Sequence, residues 1–347
     1  MCAMTMTRPE RSPASTAHRA ARLTLAALTT VGSAAVWTAC SSPTGPTRAP
    51  SLAPQVTCPA DVSQQTPTGA AVTVTYQVPA AVDGSPPVQV ACTPPSGSTF
   101  PLGQTTVTCT ATDVLGREGT CAFHVNVTTP PRLRLTSFLA FGDSMTEGVL
   151  TLTAPYFDLT PSPTGYPEDL QVLLAARYTA QTITVDNEGL PGEEAVQGVV
   201  RLPGVLGEAH PQVVLLLEGA NDLNTYGAAA LSDTAAAMQQ MVVTSQNAGA
   251  VVYLAGLPPQ RAGGLRAGAA DLVPAYNARL ATVASTTHAV FVDLYAAFGG
   301  VPDDLIGSDG LHPTVAGYQK IADTFFAAIQ STLEVAPQST VRRAVKR

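Results

Sequence analysis

Three side chains in the second half of the chain have the types and spacing that nucleophilic catalysis by a serine requires. Ser144 lies in the segment FGDSMTEG (141–148), directly after an apolar run. A serine hydroxyl is a poor nucleophile unless a base within hydrogen-bond reach takes its proton. His312, in SDGLHPT (308–314), is a candidate for that base, and Asp309 lies three residues before it. In a tight turn, this spacing lets the carboxylate accept a hydrogen bond from Nδ1 of the imidazole and leaves Nε2 free to face Ser144.

The elements that must position these residues follow from the apolar pattern after residue 136. Near-continuous apolar runs are typical of strands that are covered on both faces. Strands that alternate with helices predict a parallel sheet in a three-layer α/β/α domain. The predicted strands are FLAFGD, TITVDNEG, VVLLLEG, VVYLAG and VFVDLY. The predicted helices cover residues 166–178, 231–249, 271–285 and 314–333.

Polar residues follow several of these strands, where the ligands of such sheets bind. Besides the segments of Ser144 and His312, the second strand ends in NEGLPGEE (187–194) and the third in EGANDLN (218–224). A Gly-Asp-Ser triplet alone is common in turns that have no catalytic role. A capping or surface role would explain His312 alone as well as a catalytic role would. His210 and His288 each precede a strand, so we expect both at the opposite edge of the sheet.

Together the four segments resemble the SGNH/GDSL hydrolase family, over about residues 136–333. The resemblance implies a flavodoxin-like domain with a parallel sheet of about five strands. It also implies that Ser144 is the nucleophile and that Asp309 and His312 complete a catalytic triad. The family includes esterases, lipases and carbohydrate esterases, and their reaction needs no metal or organic cofactor.

The resemblance further implies an oxyanion hole built from the backbone N–H of Ser144, the backbone N–H of Gly192 and the side-chain amide of Asn221. Gly189 is the alternative for the second donor. Glu194 is a departure, because many members of the family have threonine there. We expect Asp143 and Asp222 to be structural and to accept hydrogen bonds from neighbouring loop N–H groups.

Residues 56–128 predict a small all-β domain. Runs of alternating polar and apolar residues, rich in β-branched side chains, are separated there by turns that contain Pro, Gly, Asp and Ser. Four cysteines in one small exported domain predict two disulfides among three pairings. We favour Cys58–Cys121 and Cys92–Cys109, which tie the first strand to the last and close one hairpin. A metal site is the alternative, although the segment has no CxxC pair. The segment resembles the hyalin-repeat module, an immunoglobulin-like sandwich, which implies a spacer or an adhesive role.

The first 39 residues predict an export signal. A basic region precedes the apolar run Leu23 to Ala39, which is short for a membrane span. Cys40 follows directly and resembles the lipidated first residue of a bacterial lipoprotein, whereas a plain secretory signal is the alternative. Residues 40–55 and 129–135 are predicted linkers, and 334–347 a disordered basic tail. The net charge of −7 gives no reason to expect nucleic-acid binding.

These patterns predict an exported ester hydrolase that forms an acyl-Ser144 intermediate. The alternatives are an acyltransferase on the same triad and a non-catalytic surface adhesion protein. The expected substrate is a small-molecule, lipid or acylated-glycan ester, and lipidated Cys40 would attach the protein to a membrane. Tyr156, Phe157 and Tyr166 either line the substrate pocket or pack their loop down. The loop 258–271, rich in Gly and Ala, is predicted to be mobile.

Overall fold

The computed structural model of the protein describes residues 52–150 and 165–335. The predicted signal peptide, Cys40, Tyr156, Phe157 and residues 341–347 lie outside the described residues. No helix in the described part of the chain is both long and apolar enough to cross a membrane.

The N-terminal region is all-β, as predicted. A four-stranded sheet, in the order β2-β8-β7-β5, is packed against the short antiparallel ladder of β3 and β6. Along β7, Val107, Cys109 and Ala111 are buried and the residues between them are more exposed, which is the alternation of a strand with one covered face. The strands are β1 (Gln55–Val56), β2 (Val62–Gln65), β3 (Val72–Val74), β4 (Ala81–Val82), β5 (Gln89–Thr93), β6 (Ser98–Phe100), β7 (Gly103–Thr112), β8 (Glu118–Thr128) and β9 (Arg132–Leu133).

Both favoured disulfides are present. Cys58 is bonded to Cys121, and Cys92 is bonded to Cys109. The second pair joins residues that lie directly opposite each other on β5 and β7. The cysteines therefore crosslink this small core, as expected for an exported domain.

The C-terminal region has the predicted three-layer architecture. The elements are β10 (Ser137–Gly142), α1 (Ser144–Glu147), α2 (Tyr166–Arg177), β11 (Thr184–Gly189), α3 (Ala195–Ala209), β12 (Val213–Leu217), α4 (Ala220–Tyr226), α5 (Leu231–Asn247), β13 (Val251–Ala255), α6 (Val273–Thr287), β14 (Val290–Val292), α7 (Leu294–Ala297), α8 (Val315–Leu333) and β15 (Glu334–Val335). Short 3₁₀ turns cover Gly227–Ala230, Ala270–Leu272 and Asp303–Leu305.

The central sheet has five strands in the order β11-β10-β12-β13-β14, and every pair is parallel. This is the strand order of flavodoxin-like folds, in which the ligand crevice opens where the strand order reverses. Here the reversal lies between β10 and β12, and Gly142 is paired there with Leu217. Helices α2 and α8 pack together, as do α3, α5 and α6. The inner strands β10, β12 and β13 are buried between helices, which explains their continuous apolar sequences.

Two features differ from the sequence expectations. The apolar pattern gives no bounds for helix α3, because its glycines and Pro203 obscure the helical period; a capping box formed by Glu194 and Gln197 begins it. In addition, Glu334 and Val335, which were assigned to the tail, form a ladder with Arg132 and Leu133 of the predicted linker.

Candidate active site

Ser144 lies where the central strand β10 meets the helical turn α1. The last residue of the strand, Gly142, must be a glycine because a Cβ there would lie 2.0 Å from the carbonyl oxygen of Leu217 on the adjacent strand. Asp143 then caps the turn, since its carboxylate accepts a hydrogen bond from the N–H of Met145 at 2.9 Å. Ser144 is therefore the first residue of a helical turn, where backbone N–H groups have no intrahelical acceptor.

The three predicted catalytic side chains lie together. Ser144 Oγ is 2.8 Å from Nε2 of His312, and Nδ1 of His312 is 2.5 Å from Oδ2 of Asp309. The other carboxylate oxygen of Asp309 accepts hydrogen bonds from the N–H groups of Leu311 and His312. A carboxylate facing Nδ1 holds the proton on that nitrogen, so Nε2 is left as an acceptor for the serine hydroxyl. This is the arrangement that activates a serine.

All three of these residues are at most 4% exposed, yet they border a cavity of about 210 Å³. Gly192, Val149 and Leu150 also line it, so the cavity has apolar as well as polar walls. A substrate acyl group could thus reach Ser144 without full exposure of the triad to water. Exclusion of water strengthens the electrostatic interactions within such a site.

Arg266 also lines this cavity, and no sequence pattern points to it. It belongs to the loop 258–271, which was predicted to be mobile. The loop is hydrogen-bonded to the turn that carries Asp309. The N–H of Arg266 donates to the carbonyl of Asp309, and the N–H of Arg261 donates to that of Gly310, both at 2.8 Å.

Gly192 is the better placed of the two candidate glycines. It has a φ of +82°, which favours glycine, and it lines the same cavity as Ser144. Gly189 is paired with Gly142 at the end of the sheet. Its N–H donates to the side-chain oxygen of Asn187 at 3.0 Å, so that donor is already engaged.

Asn221 lies on the first turn of α4, at the end of strand β12. Its amide nitrogen donates one hydrogen bond to the carbonyl of Glu193 at 2.8 Å, and the second amide hydrogen remains for another acceptor. Asn221 does not line the cavity of Ser144. The structure thus ties the Asn221 side chain to the loop of Gly192 rather than directly to the triad.

Asp143 and Asp222 have the structural contacts that the sequence predicted. The carboxylate of Asp222 accepts a hydrogen bond from the N–H of Ala195, at the start of α3. Burial raises the pKa of both groups, that of Asp143 to about 7. Asp143 is fully buried, and its Oδ2 has no hydrogen-bond partner among the described residues.

Glu218, which directly follows strand β12, is a second unusual carboxyl group, and no sequence pattern signals it. It is fully buried, and neither of its oxygens has a hydrogen-bond partner in the described part of the chain. Burial, together with the nearby carboxyl groups of Asp143 and Glu193, raises the pKa of Glu218 to about 9. Glu218 is therefore a neutral carboxylic acid at pH 7.

Four other residues that the sequence singles out lie away from the cavity of Ser144. Tyr166 is buried, stacks on Phe325 with ring centres 5.2 Å apart, and so packs its segment down rather than lining the cavity of Ser144. Glu194 caps α3 and accepts a hydrogen bond from the hydroxyl of Tyr226. His210 and His288 end helices that precede strands, at the opposite edge of the sheet, as expected.

A larger cavity, of about 620 Å³, lies beside α3 and α5 and is bordered by Glu194, Tyr226 and Asp233, but not by Ser144 or His312. The triad and the two nearest backbone donors all surround the smaller cavity, so the chemistry is assigned there. Within residues 52–150 and 165–335, no group of His, Cys, Asp and Glu side chains could hold a metal ion.

Comparison with known protein families identifies both regions of the chain. Residues 140–320 match the GDSL-like Lipase/Acylhydrolase family, and residues 51–127 match the HYR domain. Among curated proteins, 81 residues are 40% identical to the mouse protein "Sushi, von Willebrand factor type A, EGF and pentraxin domain-containing protein 1". This match covers 22% of the chain and 2% of the mouse protein, so nothing about the activity of this chain follows from it.

Solved structures resemble the C-terminal region. A lipase/acylhydrolase from Enterococcus faecalis is 23% identical and has a TM-score of 0.50, with 57% of this chain and 97% of that chain covered. An acetylxylan esterase from Geobacillus stearothermophilus is also 23% identical, with a TM-score of 0.46 and coverage of 57% and 96%. At this level of identity the first of these structures shows a shared fold.

Proposed function

The chain belongs to the GDSL-like Lipase/Acylhydrolase family, and we propose that it is an exported serine esterase that cleaves carboxylic esters through an acyl-Ser144 intermediate. The observation that carries this proposal is the 2.8 Å contact between Ser144 Oγ and His312 Nε2, with Asp309 on the far side of the imidazole. A nucleophile, a base and a residue that orients the base are the parts that acyl transfer requires.

In the first half of the reaction, His312 takes the proton of the Ser144 hydroxyl as Oγ attacks the carbonyl carbon of the ester. The resulting oxyanion accepts hydrogen bonds from the backbone N–H groups of Ser144 and Gly192 and from the Asn221 amide. Removing one such donor typically lowers kcat by about 10²–10³. The alkoxide then leaves with the proton of His312, and Ser144 remains acylated.

In the second half, His312 takes a proton from water, which attacks the acyl-enzyme. Collapse of the second oxyanion releases the carboxylic acid and returns the proton to Ser144. Asp309 stays ionised throughout, holds the Nδ1 proton in place and stabilises the imidazolium. The substrate is a small-molecule, lipid or acylated-glycan ester.

Turnover of p-nitrophenyl acetate tests this function. We expect Ser144→Ala to abolish turnover while thermal unfolding stays cooperative. Ser245→Ala is a matched control, because Ser245 is also buried but donates to Met241 of its own helix. The control variant should keep wild-type turnover. Wild-type turnover in the Ser144→Ala variant would refute the assignment.

An acyltransferase would use the same triad, and a non-catalytic adhesion protein would use none of it. Product analysis in the presence of competing alcohols separates the first alternative, because a transferase yields a new ester in preference to free acid. A wild-type protein without turnover on any short ester would favour the second alternative.

Export is supported by the two disulfides of the β domain, since such bonds persist in oxidising compartments. We propose that the HYR domain of the exported chain is a spacer or contacts a surface.

We also propose that the exported chain is a lipoprotein anchored at Cys40, or is otherwise secreted. Metabolic labelling with a fatty acid tests the anchor. Label that is absent from a Cys40→Ser variant supports lipidation, and an unlabelled wild-type chain contradicts it.

A further inference from the structure

Arg201, on helix α3, contacts the ends of two strands that lead into the active site. Its guanidinium carbon lies 3.9 Å from the ring centre of Phe141, three residues before Ser144. Its Nη2 donates to the carbonyl of Glu188, on β11, at 3.0 Å and approaches the carbonyl of Gly142, on β10, at 3.5 Å. One side chain therefore spans the ends of both strands.

The same guanidinium holds the loop that carries Gly192. Arg201 donates from Nε and Nη2 to the two carboxylate oxygens of Glu193, at 2.7 and 2.6 Å. The Glu193 side chain is 1% exposed and that of Arg201 is 23% exposed, so the carboxylate of this two-pronged ion pair is buried. The carbonyl of Glu193 in turn accepts the hydrogen bond from the amide of Asn221.

We propose that Arg201 is a positioning residue that fixes the three donors of the oxyanion hole relative to one another. Its contact with Gly142 orients the segment of Ser144, and its ion pair with Glu193 orients the N–H of the preceding Gly192. Through the Glu193 carbonyl, the same ion pair orients Asn221. The inference rests on the proposed function, because it concerns the transition state of that reaction.

A guanidinium suits this role, and an ammonium does not. The planar fork of arginine presents several N–H donors in fixed directions and can stack on an aromatic ring at the same time. A lysine at position 201 keeps the positive charge, but it can satisfy the carboxylate of Glu193 only as a point charge. The backbone carbonyls of Glu188 and Gly142 would lose their common partner. An oxyanion hole depends on preorganised donors, so small displacements lower the rate.

The test compares Arg201→Lys with the wild type in p-nitrophenyl acetate turnover and in inhibition by a short alkylboronic acid, which forms a tetrahedral adduct on a serine. We expect kcat to fall by about 10- to 100-fold with KM nearly unchanged, since a displacement of about 1 Å can cost 10²-fold. The inhibition constant of the boronic acid should rise by the same factor as kcat/KM falls.

Arg177→Lys is the matched control. Arg177 forms a two-pronged ion pair with Glu334, with Nε at 2.7 Å and Nη2 at 2.9 Å from the carboxylate, at the base of the domain. This variant should keep wild-type kcat and boronic acid inhibition. A loss of kcat in Arg177→Lys equal to that in Arg201→Lys would show a general stability effect and overturn the inference.

The double variant Arg201→Lys/Asn221→Ala identifies the route of the effect. If Arg201 acts through the oxyanion hole, the combined loss of kcat is smaller than the product of the two single losses. A loss of kcat in the double variant equal to the product of the two single losses would overturn the inference. So would an Arg201→Lys variant with the kcat and the boronic acid affinity of the wild type.

Should Arg201→Lys fail to fold, Glu193→Gln decides the question. This substitution keeps the shape of the side chain but weakens the ion pair, so we expect a smaller fall in kcat with a matching rise in the boronic acid inhibition constant. Unchanged kinetics would overturn the inference. A wild-type protein that neither hydrolyses esters nor binds the boronic acid would overturn the proposed function, and the inference with it.

Discussion

Ser144 and His312 are separated by 168 positions in the chain, and their side chains meet at 2.8 Å. The parallel sheet brings this about, because Ser144 follows the central strand β10 and the turn of His312 packs at the same edge. Because each side chain of the site has a distinct contact, substituting one residue at a time tests its role.

Asp309→Asn should lower kcat by about 10³- to 10⁴-fold without unfolding the protein. The asparagine amide would place a donor beside Nδ1 of His312 and favour the wrong tautomer, as in the serine protease triad. Kinetics with p-nitrophenyl acetate across pH 6–9 measure the effect. Asp304→Asn, in the same stretch but exposed, is the control and should behave as the wild type. Equal kinetics for both variants would contradict the role of Asp309.

Asn221→Ala should lower kcat by about 10²- to 10³-fold and change KM little, because an oxyanion donor acts only in the transition state. Steady-state kinetics separate the two constants. Asn247→Ala, at the exposed end of α5, serves as the control. A variant that loses efficiency through KM alone would mean that Asn221 binds substrate and does not stabilise the oxyanion.

Glu218→Gln should weaken the dependence of the free energy of unfolding on pH between about pH 4.5 and pH 9. The folded-state pKa of Glu218, about 9, lies above its ordinary value of 4.5, so its contribution to stability is fully present below about pH 4.5. That contribution is lost as pH rises towards 9, because burial opposes ionisation. The wild type should lose up to about 1.4 kcal/mol per pH unit relative to the variant.

Urea unfolding of the wild type and of Glu218→Gln at intervals from pH 5 to pH 9 provides this measurement. Glu208→Gln, on the exposed side of α3, is the control and should run parallel to the wild type. If the curve for Glu218→Gln instead runs parallel to the wild type, folding does not raise the pKa of Glu218.

The two disulfides should differ in their contribution to stability. Their cysteines are 63 and 17 residues apart, and the chain-entropy relation gives about 4 kcal/mol for Cys58–Cys121 and about 3 kcal/mol for Cys92–Cys109. Paired serine variants, followed by thermal unfolding, test this order, and turnover by the C-terminal region should be retained in both. A larger loss for the Cys92/Cys109 pair would contradict it.

The sheet and the clustering of Ser144, Asp309 and His312 could be predicted from local patterns, because the inner strands β10 and β12 are apolar runs that are followed by polar residues. Other features could not. Helix α3 contains Pro203 and several glycines, which hide its period, and Arg266 lies in a loop whose composition indicated mobility. The roles of Arg201 and Glu218 depend on contacts between segments distant in the chain, and no short pattern signals them.

Covalent labelling with a fluorophosphonate tests the central claim most directly, because the reagent reacts far faster with a serine that is activated by a base than with other side chains. Mass spectrometry of the whole protein and of its peptides should show one adduct in the wild type, on Ser144, with none in Ser144→Ala and much slower labelling in His312→Ala. A wild-type protein that hydrolyses esters while Ser144 stays unmodified, or an adduct on another residue, would contradict the assignment of Ser144 as the nucleophile.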